Sequence, residues 1–192
     1  NGVLAINLMS SPGSGKTSTL LALKPHFEGK IKWGVMEADI DSDVDANTLI
    51  EAGIPSIQLH TGGMCHLDAD MTRQGLKGLG TDDVELVILE NVGNLVCPAM
   101  FDLGESKKVV IVSTTEGDDK PLKYPHIFQE ADICVINKID LAPYVGASLE
   151  VMERDSKKMR GERPFLFTNI RGDVHVDDVV SWIKENVLLE GM

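Results

Sequence analysis

Seven short runs of apolar and β-branched residues recur along this chain of 192 residues, and longer stretches with helical periodicity separate them. Two of the runs, residues 84–89 and 109–112, are almost continuously apolar, which is typical of parallel strands that are covered on both faces. The alternation therefore predicts an α/β fold in which crossover helices join about seven strands of a mostly parallel sheet. The predicted strands span residues 3–9, 32–37, 55–60, 84–91, 108–113, 132–137 and 164–168.

Five longer stretches are predicted to form helices, and they span residues 16–26, 44–52, 68–77, 149–159 and 176–186. The last helix has apolar residues at helical spacing, which we expect to lie in the core. These residues are Val176, Val179, Val180, Ile183 and Val187. With 43% hydrophobic residues, the chain is long enough for one well-buried domain over residues 1–192 and too short for two ordinary ones.

The formal net charge of −12 argues against nucleic acids and anionic membranes as partners, because both attract a basic surface that this composition lacks. No apolar run approaches the roughly 20 residues that span a bilayer, and no secretory signal begins the chain. We therefore expect a cytoplasmic protein. The three cysteines are an odd set, so reduced thiols are expected in place of a disulfide framework. The chain begins with Asn1 and not with methionine, which leaves room for a preceding segment.

Residues 10–17, Ser-Ser-Pro-Gly-Ser-Gly-Lys-Thr, stand between the first predicted strand and the first predicted helix. Glycines in such a turn let successive N–H groups face one anion, and the following helix adds its positive N-terminal end. Lys16 would then reach the β- and γ-phosphates of a nucleotide, and the Thr17 hydroxyl would bind Mg²⁺. The alternative is an ordinary turn that binds nothing. The expected nucleotide-binding residues of this loop are Ser11, Gly13, Ser14, Gly15, Lys16, Thr17 and Ser18.

Ser10 departs from the strict form of this phosphate-binding pattern, which has glycine six residues before the lysine. Because serine is small and the anion-binding groups follow it, we expect the loop to tolerate the change. Replacement of Ser10 by glycine should then leave nucleotide binding largely intact.

A second polar motif, Asn137-Lys138-Ile139-Asp140, follows a predicted apolar strand. It is similar to the NKxD element of GTPases, in which the aspartate accepts hydrogen bonds from the ring N–H and the exocyclic amine of guanine. Asn137 and Lys138 would support the loop and the base. A polar strand end without a ligand is the alternative. Together with the phosphate loop, the motif favours GTP and GDP over ATP.

Acidic residues at two strand ends could hold Mg²⁺, which prefers carboxylate and phosphate oxygens. Asp39 and Glu90 are the preferred ligands, and Asp39 is also the candidate that orients the attacking water. Asp41, Asp43 and Asp45 follow Asp39, but they are better explained as negative charges at a helix N-terminus.

Two loops supply thiols and an imidazole. Cys65 and His66 follow the third predicted strand, and Cys97 follows the fourth, so both loops should emerge on the ligand side of the sheet. Thiolate and imidazole suit Zn²⁺, Ni²⁺ or copper. Free cysteines are more often buried as small apolar residues, and Cys134, within an apolar strand, is expected to be one of these. Three ligands leave a coordination shell incomplete, and a second copy of the chain could complete it.

His60 and Asp70 are weaker candidates for the same metal site. His60 can equally be a polar residue at a strand end. Asp70 can equally be a negative charge in the first turn of a helix.

Six segments together resemble the hydrogenase nickel-incorporation GTPases, the HypB family. These segments are SSPGSGKT, EADIDSDVDA, GGMCHLDADM, ENVGNLVCP, TTEGDDKPLKYP and NKIDL. The related urease accessory GTPases share the phosphate loop and NKxD but resemble a different metal motif, Cys-Pro-His. Some HypB proteins carry an N-terminal segment rich in cysteine or histidine, and these 192 residues contain no such segment.

The resemblance implies a three-layer P-loop NTPase fold of the SIMIBI type and slow hydrolysis of GTP to GDP and phosphate. It also implies a homodimer that closes through bound nucleotide, with Cys65, His66 and Cys97 at the interface. The cargo would be Ni²⁺ for the large subunit of nickel–iron hydrogenase, and a HypA-type metallochaperone would be a partner.

Several alternatives stay open at this stage. Ni²⁺ and Zn²⁺ both accept the thiolate and imidazole set. A urease-type accessory GTPase and a metal-storage module in which the nucleotide is only structural are alternative functions. A small-molecule kinase is another, although NKID weighs against it.

Overall fold

The central sheet has seven strands, all of them parallel, in the computed structural model, which describes residues 2–39, 44–80 and 84–189. The strand order is β3-β2-β4-β1-β5-β6-β7. Every predicted strand is present, and no boundary moves by more than two residues. The strands are β1 Leu4–Ser10, β2 Trp33–Asp39, β3 Ser56–His60, β4 Leu86–Gly93, β5 Lys107–Ser113, β6 Ile133–Asn137 and β7 Phe165–Phe167.

The described residues form eight α-helices, and five of them are the predicted ones. The helices are α1 Lys16–Phe27, α2 Val44–Glu51, α3 Ala69–Leu79, α4 Lys120–Lys123, α5 Pro125–Glu130, α6 Ala142–Val145, α7 Leu149–Arg160 and α8 Val176–Asn186. The three that the sequence did not predict, α4, α5 and α6, have four to six residues and begin with a proline in their first turn. Proline suits a helix start, but so few residues show no helical periodicity.

Helices cover both faces of the sheet, which gives three layers. On one face, α1 and α8 pack against strand residues such as Ile6, Leu8 and Ile88. The predicted apolar stripe of α8, from Val176 to Val187, lies in this cluster and is buried. On the other face, α5 and α7 pack near Met9 and α3 packs near Met36. No helix in the described ranges has the length and apolar character needed to cross a membrane.

Cys134 lies on β6, is fully buried, and belongs to the apolar cluster beneath α5 and α7. Burial raises the pKa of its thiol to about 12, because a thiolate would be desolvated there. The expectation that Cys134 is a core residue is confirmed.

A β-bulge interrupts the pairing of β1 with β4 near the carboxyl ends of both strands. Leu8 pairs with Glu90, whereas Ser10 pairs with Gly93, so β4 has one residue more than β1 over this interval. Such bulges occur beside binding sites, where they redirect side chains. Because all strands are parallel, the residues that follow β1, β3, β4 and β6 emerge at one edge of the sheet.

Candidate nucleotide and metal site

The phosphate loop connects β1, which ends at Ser10, to α1, which begins at Lys16. Gly13 and Gly15 have φ angles of 71° and 109°, values that other residues adopt only with strain. Gly15 is restricted for a second reason, because a Cβ atom at this position would lie 2.5 Å from Nδ2 of Asn137. The loop therefore requires glycine at the two positions that the sequence analysis selected.

The Lys16 ammonium has two neighbours. Its Nζ donates a hydrogen bond to Oγ of Ser10 at 2.9 Å and lies 4.0 Å from Oε1 of Glu90. Ser10 is fully buried, and its own hydroxyl donates to the carbonyl oxygen of Ser11 at 2.9 Å. The sequence predicts Ser10 only as a tolerated change, and its contact with Lys16 was not predicted. The hydroxyl itself was the signal, because glycine at this position offers no side-chain acceptor.

Asn137 and Lys138 join the NKID motif to the phosphate loop. Asn137 donates from Nδ2 to the carbonyl oxygen of Ser14 at 2.9 Å, and its Oδ1 accepts from the backbone N–H of Ile170 at 3.1 Å. Lys138 donates from Nζ to the carbonyl oxygen of Gly13 at 2.6 Å. Both residues therefore support the phosphate loop, and their contact with a base stays a prediction.

A cavity of about 660 Å³ opens between the two motifs. Its size and its mixed polar and apolar lining suit a nucleotide. Eight of the proposed nucleotide ligands line it, together with Arg171 and Asn169 from the loop after β7. The eight are Gly13, Gly15, Lys16, Thr17, Ser18, Asn137, Lys138 and Asp140. Ser11 and Ser14 are buried beside it.

Three carboxylates meet at one end of the cavity. Oxygens of Glu37, Asp45 and Glu90 all lie within 4.8 Å of one another. Glu37 and Glu90 are buried register partners on β2 and β4, and Asp45 lies in the first turn of α2, where the sequence analysis placed it as a helix charge. This set of oxygen ligands fits a hard divalent cation such as Mg²⁺.

Glu90 was predicted from the sequence as a ligand of this cation, whereas Glu37 was not. The position of Glu37 between the apolar residues Met36 and Ala38, which are buried, was the available signal, because a charged residue in a buried strand needs a partner. Asp39 is the last residue of β2, and its side chain lies outside the described residues, as do Asp41 and Asp43.

The second site contains the thiols and the imidazole. The Sγ atoms of Cys65 and Cys97 are 2.8 Å apart, and Sγ of Cys65 lies 3.8 Å from Nδ1 of His66. Ligand atoms of all three residues lie within 4.8 Å of one another, and the residues are half-buried. The hydrogen bond with Cys65, followed by burial, raises the pKa of the Cys97 thiol. The cluster fits a soft or borderline metal ion that would replace the thiol protons.

Other side chains define the surroundings of this cluster. The ring of Phe101 stacks on His66, with centroids 3.8 Å apart and an angle of 7° between the planes. Met64, Val96 and Met100 are exposed apolar residues on the same two loops. Among the described residues, neither of the weaker candidates, His60 and Asp70, joins the cluster. Asp70 instead binds Arg73 and Gln74 on the surface of α3, consistent with a first-turn helix charge.

This chain is similar to a known family and to several known proteins. The family described as CobW/HypB/UreG, nucleotide-binding domain, matches residues 4–167. Hydrogenase maturation factor HypB of Escherichia coli is 40% identical over 181 residues, which are 94% of this chain and 62% of that protein. The factor of the same name from Rhizobium leguminosarum is 48% identical over 183 residues, 95% of this chain and 61% of that protein. The chain thus spans about three fifths of the length of these relatives.

Solved structures of HypB proteins are also similar to this chain. The HypB structure of Archaeoglobus fulgidus has a TM-score of 0.88 at 38% identity and covers 95% of this chain and 89% of its own. The HypB structure of Helicobacter pylori in complex with nickel has a TM-score of 0.85 at 35% identity, covering 97% and 89%. The signal recognition particle receptor FtsY of Elizabethkingia anophelis, with GDP, has a TM-score of 0.60 at 15% identity, covers 88% of this chain and 57% of its own, and shares the fold alone. The expected P-loop fold of the SIMIBI type is confirmed.

Proposed function

The chain belongs to the HypB family within the CobW/HypB/UreG nucleotide-binding domains, and from this premise we propose that it is a GTP-hydrolysing metallochaperone. Its proposed task is to deliver nickel to nickel–iron hydrogenase or to regulate nickel insertion there. The observation that carries the proposal is the position of the two sites. The phosphate loop and the Cys65–His66–Cys97 cluster lie at the same edge of one sheet, and residues 90–97 lead from one to the other.

GTP is the proposed nucleotide. Asp140 lines the cavity after β6, which lies on the other side of β1 from the strands of Glu37 and Glu90. It would accept hydrogen bonds from both guanine N–H groups, and Arg171 and Asn169 would flank the base. The N–H groups of the phosphate loop and the Lys16 ammonium would hold the phosphates. Turnover is expected to be slow without a partner that adds positive charge at the γ-phosphate.

Magnesium is implied by this chemistry, and the carboxylates fit it. Thr17 and Glu90 would hold the ion, with Asp45 and Glu37 beside them. When bound, Mg²⁺ would neutralise charge between the β- and γ-phosphates. Asp39, at the end of β2, stays the proposed group that orients the attacking water.

Nickel is the proposed cargo of the Cys65–His66–Cys97 cluster, because thiolate and imidazole ligands bind it well. Zn²⁺ would bind the same ligands, so cellular occupancy depends on supply. We propose that a homodimer completes the coordination shell from a second copy, since a two-fold interface brings the same residues together twice. A HypA-type metallochaperone and the hydrogenase large subunit are the proposed partners, and the cytoplasm, where thiols stay reduced, is the proposed setting.

Nucleotide state is proposed to control the metal. Glu90 faces the Lys16 ammonium, and Cys97 follows only seven residues later. A change of phosphate contacts at Glu90 can therefore shift the loop that holds the Cys97 thiol. Nickel affinity would then differ between the GTP and GDP states.

One titration tests the proposal. Ni²⁺ binding and oligomer mass are measured with GDP and with a non-hydrolysable GTP analogue, for the wild type and for Cys65→Ala and Cys97→Ala. Cys134→Ala is the matched control, because it removes a thiol that lies in the core. We expect binding that depends on Cys65 and Cys97, is unaffected in Cys134→Ala, and changes with the nucleotide.

Two results would contradict the proposal. Nickel binding that survives the loss of Cys65 or Cys97 would exclude the cluster as the cargo site. Equal nickel affinity and equal mass in both nucleotide states would indicate a storage module in which the nucleotide only stabilises the fold.

A further inference from the structure

A chain of buried hydrogen bonds lies beneath the two loops that carry the Cys65–His66–Cys97 cluster. Its centre is Asn91, which is fully buried on β4. Oδ1 of Asn91 accepts from the backbone N–H of Leu67 at 3.1 Å and from that of Val92 at 2.9 Å. Because Leu67 directly follows His66, Asn91 fixes the end of the first loop at the residue next to a metal ligand.

The amide nitrogen of Asn91 is linked to the end of the second loop through two further side chains. Nδ2 of Asn91 donates to Oδ1 of Asn7 at 3.1 Å, and Nδ2 of Asn7 donates to Oε1 of Glu105 at 3.2 Å. The other oxygen of Glu105 accepts from the backbone N–H of Leu103 at 2.7 Å. Asn7 is fully buried on β1. The segment that contains Cys97 is thus held at both ends, by β4 before it and by Glu105 after it.

Strand packing alone does not explain a polar residue at this position. Leu89, Val87 and Leu86 on the same strand are fully buried and apolar, as expected for a strand covered on both faces. A buried amide is costly unless its hydrogen-bonding groups are satisfied, and Asn91 makes three hydrogen bonds, two of them to groups outside its own strand. Those two partners lead to the two metal-bearing loops.

We infer that Asn91 is a positioning residue of the Cys65–His66–Cys97 site, acting through Leu67 on one loop and through Asn7 and Glu105 on the other. The inference rests on the proposed function for the identity of the metal but not for the loop geometry. Outer residues that orient metal ligands typically contribute 10- to 100-fold to metal affinity. Asn91 is assigned this role here because without its hydrogen bonds the two thiols, 2.8 Å apart, lose their common support.

The test uses the whole chain with Asn91→Ala. We expect its Ni²⁺ dissociation constant to rise about 10- to 100-fold, and GDP affinity to stay within about threefold. In the metal-free protein, hydrogen exchange in residues 61–68 should become faster by roughly tenfold or more, because the Leu67 N–H loses its acceptor. Asn7→Ala removes the acceptor of Asn91 Nδ2 and the donor to Glu105 but keeps the hydrogen bond between Asn91 and Leu67. It should therefore speed exchange in residues 97–105 and leave residues 61–68 unchanged.

Val180→Ala on α8 is the control for a general loss of stability, because Val180 is buried in the cluster on the opposite face of the sheet. It should lower the melting temperature without changing nickel affinity or exchange in either loop. Wild-type nickel affinity and wild-type exchange in Asn91→Ala would overturn the inference, as would an equal loss of nickel affinity in Val180→Ala. Should Asn91→Ala fail to fold, Asn7→Ala decides, because wild-type exchange in its residues 97–105 would overturn the inference.

The exchange measurement separates this inference from the proposed function. If the wild type binds no Ni²⁺ through Cys65 and Cys97, the proposed function fails, while the metal-free loops still report whether Asn91 holds them. If nickel binds through the thiols and the Asn91→Ala loops exchange as in the wild type, the inference alone fails.

Discussion

Gly93 is the point where the end of β4 touches the phosphate loop, and its replacement by alanine tests whether the two move together. A Cβ atom at this position would lie 3.0 Å from Cγ and N of Pro12 and 3.1 Å from its Cα. Ordinary contacts between carbon atoms are about 3.5–4.0 Å, so the neighbours would have to separate by roughly 0.5–1 Å. Two of the three close atoms are backbone, which means that the phosphate loop itself must shift.

Overpacking of this kind costs about 1–3 kcal/mol. The lower part of that range applies here, because Pro12 is exposed and can yield towards solvent. A loss of about 1–2 kcal/mol that falls on the phosphate loop corresponds to a GDP dissociation constant about 5- to 30-fold higher in Gly93→Ala. Isothermal titration calorimetry with GDP and Mg²⁺ measures the change directly.

Gly78→Ala is the matched control. Gly78 lies in α3, and an added Cβ would meet only Cδ1 of Ile57 at an ordinary 3.4 Å. Its GDP affinity should equal that of the wild type, and its stability should rise slightly because alanine favours helix. Pro12→Ala combined with Gly93→Ala removes one of the three close atoms and should restore part of the affinity. Wild-type GDP affinity in Gly93→Ala would refute the reasoning, since it would show that β4 and the phosphate loop have room to move independently.

Three further expectations follow from other contacts. Ser10→Ala removes the hydroxyl that accepts a hydrogen bond from Lys16. Because hydrogen bonds to charged groups contribute about 1.5–3 kcal/mol, single-turnover GTP hydrolysis should slow about tenfold or more, while GDP affinity stays within about threefold. Unchanged hydrolysis would exclude a role for Ser10. Burial raises the pKa of Glu116 above the ordinary 4.5, so the charged carboxylate destabilises the folded state. This penalty is absent below pH 4.5 and grows as the pH rises through the raised pKa. Glu116→Gln should make the free energy of unfolding in urea less dependent on pH above 4.5, and an unaltered pH dependence would contradict this. Arg160 is buried and donates hydrogen bonds to the carbonyl oxygens of Phe128, Asp132 and Pro164. Arg160→Met should lower the free energy of unfolding in urea by at least about 3 kcal/mol and leave GDP affinity unchanged. A loss below about 1 kcal/mol would show that water replaces the guanidinium.

The strands and the longer helices could be predicted because their signals are local. An apolar run such as Val109–Val112 has one reasonable place in a parallel sheet, and the stripe on α8 has one periodicity. The short helices α4, α5 and α6 could not be predicted, because four to six residues are stabilised by tertiary contacts and not by their own pattern.

The candidate site could be predicted where a motif carries its own chemistry and not where two distant residues must meet. The glycines of the phosphate loop, Asn137, and the pair Cys65–His66 belong to recognisable stretches. Glu37 belongs to the carboxylate cluster because the register of β2 against β4 places it beside Glu90. This register is a property of the sheet and not of the local sequence. Likewise, the hydrogen bond between Asn91 and Leu67 joins residues 24 positions apart, and nothing in either local sequence indicates it.

The alternation of side chains along β4 limits how the length of this strand can vary. Side chains alternate across a strand, so Ile88 and Glu90 lie on the face that carries α1, while Leu89 and Asn91 lie on the face beneath the metal-bearing loops. The consecutive residues Glu90 and Asn91 therefore face the nucleotide site and the metal-bearing loops, respectively, on opposite faces of the sheet. Insertion or deletion of a single residue before Glu90 would exchange their faces and damage both sites in one event. The spacing in this strand should accordingly tolerate substitution of its apolar residues far better than any change in its length.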